Sequence, residues 1–313
     1  MKVSAIRFIS FEYAAVRVRE ERLSTPVNGC WMIISRTGKA LSQREFLCVG
    51  HVKDGVVPVR HKSVKTGKEV WSLLSMTTGE FYLDEEYDFI TGISDGVATV
   101  FQEGRGYTFV DVTGAMGWNG WRSERIYFKE ASQFWNDVGV VQLQNGKYTY
   151  VTRGFDCGAV SFFKVIDREY PYAANFRCNM SVVRYRKDCY GYVQRRNMSP
   201  LLQGNGELMT FSHVRTFTCG RGRVQNKDGL YNYIDERGRM ISDRWFVAAE
   251  PFYAIEFGPD LLKVVAPIKY IEKDGWTLID EHGAELFNVE RFTEDQNTLE
   301  KTVESGFAKL MEK

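Results

Sequence analysis

The sequence predicts an all-β tandem array of about seven β-hairpin repeats, each ~41 residues long, with a C-terminal capping helix. Two periodic features and one compositional feature predict it. Apolar triads with members three residues apart recur as Phe46/Val49/Val52, Tyr87/Ile90/Ile93, Phe128/Ala131/Phe134, Tyr170/Ala173/Phe176, Phe211/Val214/Phe217 and Phe246/Ala249/Phe252. Their first members are 41, 41, 42, 41 and 35 residues apart. Each triad is followed by an aromatic that opens a short alternating strand: Trp71, Tyr107, Tyr148, Tyr190, Tyr231 and Trp276. Aromatics make up 14% of the chain, and with Val and Ile they suit pleated surfaces.

The first unit fits less well, with Ala5/Phe8/Phe11 leading to Trp31; counting it gives seven units over residues 1–287. In the later units alternation places residues i, i+2 and i+4 of Tyr107–Asp111, Tyr148–Val151 and Tyr231–Asp235 on one half-buried face. Their expected partners lie upstream. Val97–Val100, Val140–Leu143, Ser181–Tyr185 and Leu261–Val264 precede connections such as Gln102–Gly106 and Asn145-Gly146-Lys147, a hairpin signature. The triads themselves read as irregular apolar segments. Gly38, Gly79, Gly114, Gly238 and Gly283 end strands at turns that call for positive φ. Residues 288–313 form a separate element: Thr293-Glu294-Asp295-Gln296 has capping-box form, and Leu299, Val303, Phe307 and Leu310 follow at helical spacing. Such a helix covers the open face of a terminal repeat. An open twisted solenoid explains the cap; a seven-bladed propeller explains the number and period.

Asp95-Gly96-Val97-Ala98-Thr99-Val100, with Gly106-Tyr107-Thr108-Phe109-Val110-Asp111-Val112-Thr113-Gly114, resembles the units of the WG-repeat (KWG) family of bacterial proteins. Residues Gly229–Gly238 and Gly275–Gly283 resemble the second half of that unit. The family's Gly after the aromatic survives as Tyr190-Gly191, while Met, Ser, Thr or Asn stands there in other units. The resemblance implies an interaction module and carries over no catalytic residue.

Units differ in two connections, and insertions in arrays map to loops on a binding face. Units 1, 2 and 7 are longer between triad and aromatic, which predicts that all three project from one edge. Units 3, 4 and 5 are longer after the aromatic. Their extra residues include Trp118, Asn119 and Trp121; Phe162 and Phe163; and Arg195 and Arg196. This expected ridge is the candidate contact surface for another protein, with Trp118 and Trp121 as anchors. A second reading stacks a carbohydrate or cell-wall ligand on the same tryptophans. A third draws on residues 184–227, where nine basic residues, Arg221 and Arg223 among them, face only Asp188 and Glu207. Basic and aromatic side chains together suit nucleic acid.

Net charge is +1, so nothing global attracts nucleic acid or membrane. No apolar run reaches the ~18 residues of a membrane span, and Met1–Arg7 does not read as an export signal, so a cytoplasmic location is expected. The six cysteines lack CxxC pairs and read as reduced, mostly buried small side chains, with no metal or cofactor expected. The four histidines show no local pairing with serine or cysteine and no HExxH spacing, so a non-catalytic protein is expected.

Overall fold

Short strands and tight turns account for nearly all of the regular structure. The structure, a computed structural model, describes residues 2–19, 30–82, 85–112, 125–155, 161–257, 261–272 and 274–289. Among these there is no helix, and they form seven antiparallel sheets. It divides after Glu169 into two compact bodies, Met1–Glu169 and Tyr170–Lys313. The expected helix over 293–310 lies outside the described residues.

The N-terminal body holds four sheets. They are β1 (Lys2–Phe8), β2 (Tyr13–Arg19) and β3 (Trp31–Ser35); β4 (Cys48–Val49), β5 (Val56–Lys62) and β6 (Glu69–Ser75); β7 (Phe89–Ser94), β8 (Val97–Gln102) and β9 (Gly106–Asp111); and β10 (Glu130–Ala131), β11 (Val138–Gln142), β12 (Tyr148–Phe155) and β13 (Ser161–Val165). The C-terminal body holds three. They are β14 (Tyr172–Ala173), β15 (Met180–Arg186), β16 (Cys189–Gln194) and β17 (Ser199–Pro200); β18 (His213–Val214), β19 (Arg221–Gln225) and β20 (Tyr231–Asp235); and β21 (Ala248–Ala249) to β25, with β22 (Tyr253–Phe257), β23 (Leu261–Lys269), β24 (Trp276–Asp280) and β25 (Glu285–Val289). The expected hairpins are present as β8–β9, β11–β12 and β15–β16, whereas the expected partner of the Trp276 strand, Leu261–Val264, pairs with β22, and it is Val265–Ile268 that pairs with β24.

The triads are not irregular. Each contains a short first strand, and the three-residue spacing records a handover between sheets. The first member exchanges both backbone hydrogen bonds with the ladder aromatic of the preceding sheet: Phe46 with Trp31, Tyr87 with Trp71, Phe128 with Tyr107, Phe211 with Tyr190 and Phe246 with Tyr231, at 2.7–2.9 Å. The second member pairs within its own sheet, as Val49 with Val59 and Val214 with Val224. A segment serving two sheets in succession cannot keep a period of two. Phe46, Phe128 and Phe246 are fully buried at these seams, each contributing on the order of 2–3 kcal/mol.

The third member packs on the aromatic or aliphatic side chain two places after the ladder aromatic. Phe109–Phe134, Tyr192–Phe217 and Tyr233–Phe252 meet edge-on with centroids 4.6, 4.9 and 4.8 Å apart. Gly222 makes room for one such pair, since a Cβ there would lie 2.3 Å from Phe217 and 2.8 Å from the Tyr192 hydroxyl. In the first unit the expectation fails. Phe8 and Phe11 are 77% and 83% exposed, and Ile9 enters the core instead.

Immediately after the ladder aromatic stands a buried Ser72, Thr108, Thr149 or Asn232. Each donates to a carbonyl of the chain returning toward the next triad: Glu85 O (2.9 Å), Ile126 O (2.9 Å), Ile166 O (2.7 Å) and Ser242 O (2.8 Å). At Gly191 a Cβ would lie 2.7 Å from Met209 O. The returning chain therefore presses on this position, which is met either by absence of a side chain or by a small donor.

Two-residue turns follow the triads. Asp54-Gly55, Asp95-Gly96, Asn136-Asp137, Cys178-Asn179 and Cys219-Gly220 all have positive φ at both residues, as type I′ hairpins require. The seventh unit departs from this, and from the sequence expectation. Its extra residues lie not with those of the second unit, which lengthen β5–β6 around residues 63–68. They replace the I′ turn with a hairpin, Tyr253–Phe257 against Leu261–Val265, at the opposite end of the strands. The first unit's extension, 20–29, lies outside the described residues.

Candidate functional site

In the N-terminal body the I′ turns and the ends of the ladder strands share one edge, because the strands are antiparallel. Each ladder strand closes onto a turn through its backbone: Met76 N to Gly55 O (2.9 Å), Val112 N to Gly96 O (2.8 Å) and Arg153 N to Asp137 O (3.0 Å). Successive turns are linked by carboxylates. Asp54 Oδ2 accepts from Gly96 N at 2.9 Å, and Asp95 Oδ2 from Asp137 N at 3.3 Å.

A cleft of about 600 Å³ opens on this edge, lined by Asp54, Ser75, Thr77, Tyr82, Asp95 and Arg153 among others. Arg153 is its fixed cation. It donates from Nε and Nη2 to Asp137 Oδ1 at 3.0 and 2.6 Å, and Nη1 lies 3.9 Å from the buried Asp111 carboxylate. The cleft thus offers rigid carboxylates, hydroxyls and a guanidinium already neutralised by the protein.

Two cleft-lining residues lie close in sequence to predicted insertions. Val112 lines the cleft and directly precedes residues 113–124; Arg153 lines it and lies on β12, which runs to residues 156–160. Trp118, Asn119 and Trp121 lie outside the described residues. Phe163 is placed in the core rather than on a contact surface: it is 3% exposed and packs with Phe109 and Phe134. The extra residues of the fourth and fifth units supply a fourth strand, β13 on β12 and β17 on β16.

In the C-terminal body Arg195 and the exposed Arg196 form the turn after β16. Arg195 Nε donates to Asn179 Oδ1 at 3.2 Å. Arg221 and Arg223 are committed to the protein itself. Arg221 donates to Glu281 O (2.9 Å) and Gly220 O (3.0 Å), while Arg223 donates to Ala249 O, lies 3.4 Å from Glu250 Oε2 and stacks over Tyr231. Arg221 and Arg223 are thus engaged within the protein rather than offered to a ligand.

One pairing invisible in the sequence is His61 with Ser72, brought together by β5–β6. Nε2 lies 3.0 Å from Ser72 Oγ and Nδ1 3.0 Å from Lys62 O. Both side chains are buried, the imidazole stacks on Phe81, and the Ser72 hydroxyl is within 2.9 Å of Glu85 O. A nucleophile needs a reachable oxygen, and this one is enclosed. Beside it, burial pushes the Glu85 carboxyl up, but hydrogen bonds from Arg125 and Tyr87 outweigh that and hold it below the usual range. Among the described residues no three His, Cys, Asp or Glu side chains are gathered to share a metal ion, and no helix is long and apolar enough to cross a membrane.

No family model and no curated protein matches the sequence. Solved structures similar to it include AztD from Citrobacter koseri (10% identity, 90% of this chain and 81% of that one, TM-score 0.37). BamB from Moraxella catarrhalis (10%, 84% and 80%, 0.29) and the C-terminal WD40 domain of Sif2 (10%, 89% and 81%, 0.28) are others. Likeness at this level carries no argument about function.

Proposed function

We propose that the chain is a non-catalytic repeat scaffold that holds another protein on the turn edge of its N-terminal body. The observation that carries this reading is the cleft between Asp54, Asp95 and Arg153, whose lining residue Val112 directly precedes residues 113–124 in the sequence. A polar recess and, next in the chain to its lining, a segment bearing two tryptophans together have the composition of an interface, in which aromatic anchors supply affinity and the charged rim supplies register. The resemblance to the WG-repeat family agrees with such a role. A glycan on the same tryptophans is the competing occupant. Nucleic acid is disfavoured, because Arg221 and Arg223 already serve backbone carbonyls.

The test is capture from a lysate of the source cells by the tagged chain and by its Trp118→Ala/Trp121→Ala variant, with nuclease and raised salt. The expected result is a stoichiometric protein retained through both treatments by the parent chain and reduced at least ~100-fold by the double substitution. Equal capture by the variant, with unchanged thermal unfolding, overturns the reading. So does recovery that disappears with nuclease.

A further inference from the structure

Cys178 and Cys219 occupy the same place, the first residue of the I′ turn, in consecutive sheets of the C-terminal body. Their φ values are 46° and 47°, a region that costs a residue with a Cβ about 1–2 kcal/mol. In the N-terminal body this place holds Asp54, Asp95 and Asn136, whose short polar side chains tolerate it. The two cysteines thus stand where backbone preference argues against them. Both are exposed thiols.

Adjacent turn tips in this fold lie within one side chain of each other, as the 2.9 Å bond from Gly96 N to Asp54 Oδ2 demonstrates. Cys178 repeats that reach: its Sγ lies 4.0 Å from Phe217 O, two residues before Cys219. We propose that Cys178 and Cys219 form a dithiolate site for one thiophilic cation, with Cu⁺ as the best fit. Two thiolates on adjacent turns satisfy a soft ion of low coordination number, whereas Zn²⁺ would demand four ligands. Binding forms two S–Cu bonds and releases the two thiol protons; no electron is transferred. Arg195, beside Asn179, and Arg221, beside Gly220, border the two tips.

Anaerobic titration of the full chain with Cu⁺ against a chromophoric Cu⁺ chelator tests the site. One equivalent is expected at Cys178 and Cys219. Cys178→Ser and Cys219→Ser should each weaken it on the order of 100-fold, because a chelate loses its effective concentration when one arm is removed. The double variant should lose the equivalent altogether, and Cys48→Ser should be unchanged. Affinity retained within about threefold by either single variant overturns the proposal, because independent thiols give that result. A loss in Cys48→Ser as large as in the other two also overturns it. Thermal unfolding of the serine variants separates ligand loss from misfolding, since both positions are exposed.

Discussion

In the N-terminal body the turn tips carry Asp54, Asp95 and Asn136-Asp137, and the carboxylates of Asp54 and Asp95 each accept from the next turn's amide. In the C-terminal body the same tips carry Cys178-Asn179 and Cys219-Gly220, whose sulfurs lie 4.0 and 3.7 Å from the carbonyls of Phe217 and Phe252. Below the tips the two bodies repeat the same kinds of contact: a seam pair, an edge-on aromatic contact and a small buried donor. The difference teaches where the fold is held. Seams and aromatic contacts carry the frame, so the tips are released to differ in chemistry, and with them the ligands each edge suits.

The comparison breaks most visibly at the aromatic contacts. Phe134→Ala in the N-terminal body and Phe217→Ala in the C-terminal body should each cost about 3–5 kcal/mol, read from urea unfolding. Both side chains are buried and both meet an aromatic edge-on. If one costs less than about 1 kcal/mol, the bodies do not share a frame. A smaller effect sharpens the contrast at the seams. Glu85 precedes Tyr87 by two places, where the C-terminal body has Met209 and Arg244 before Phe211 and Phe246. Its carboxyl, with Arg125 and Tyr87 as partners, has a folded pKa below the unfolded value near 4.5. Its stabilisation is therefore complete above that value and is lost as pH falls through the folded pKa. The gap in Tm between the parent chain and Glu85→Gln should be widest at neutral pH and close in acid. A gap independent of pH would remove the carboxylate's charge from the account.

Much of this frame was legible in the sequence, because period and alternation report directly on repeats and hairpins. The seam was not. Phe128 pairs with Tyr107 in one sheet while Ala131 pairs with Val141 in the next, so the triad shows neither strand nor helix period and reads as irregular. The turns were half legible. Asp54-Gly55 and Asp95-Gly96 are hairpin dipeptides, but Asn136-Asp137 and Cys178-Asn179 lack glycine and are forced to positive φ by the strands they join. In most units the residue after the aromatic departs from the glycine of the WG-repeat pattern that the sequence resembles. In the structure Ser72, Thr108, Thr149 and Asn232 answer the same constraint with a hydrogen bond. Of the candidate contacts, Phe163 was misread because an aromatic in an insertion looks like an anchor. Its strand instead turns it into the core. Arg221 and Arg223 were counted as charge, which composition reports, and not as donors to carbonyls, which only the fold brings near.

The smallest effects lie at the tips and bear most directly on the contrast between the two edges. Asp54→Ala should cost about 1 kcal/mol, since it removes the bond from Gly96 N and places a Cβ residue with no polar side chain at φ 51°. Cys178→Asn should do the reverse, stabilising by roughly 0.5 kcal/mol, because asparagine accepts the left-handed region more readily than cysteine. Urea midpoints for the two variants decide between two views of the tips. If Cys178→Asn is stabilising, the cysteine is a local cost to the fold and its presence calls for a role outside stability. If that substitution instead destabilises by as much as Asp54→Ala, the sulfur at Phe217 is itself a fold-holding contact, and the two edges differ in composition without differing in purpose.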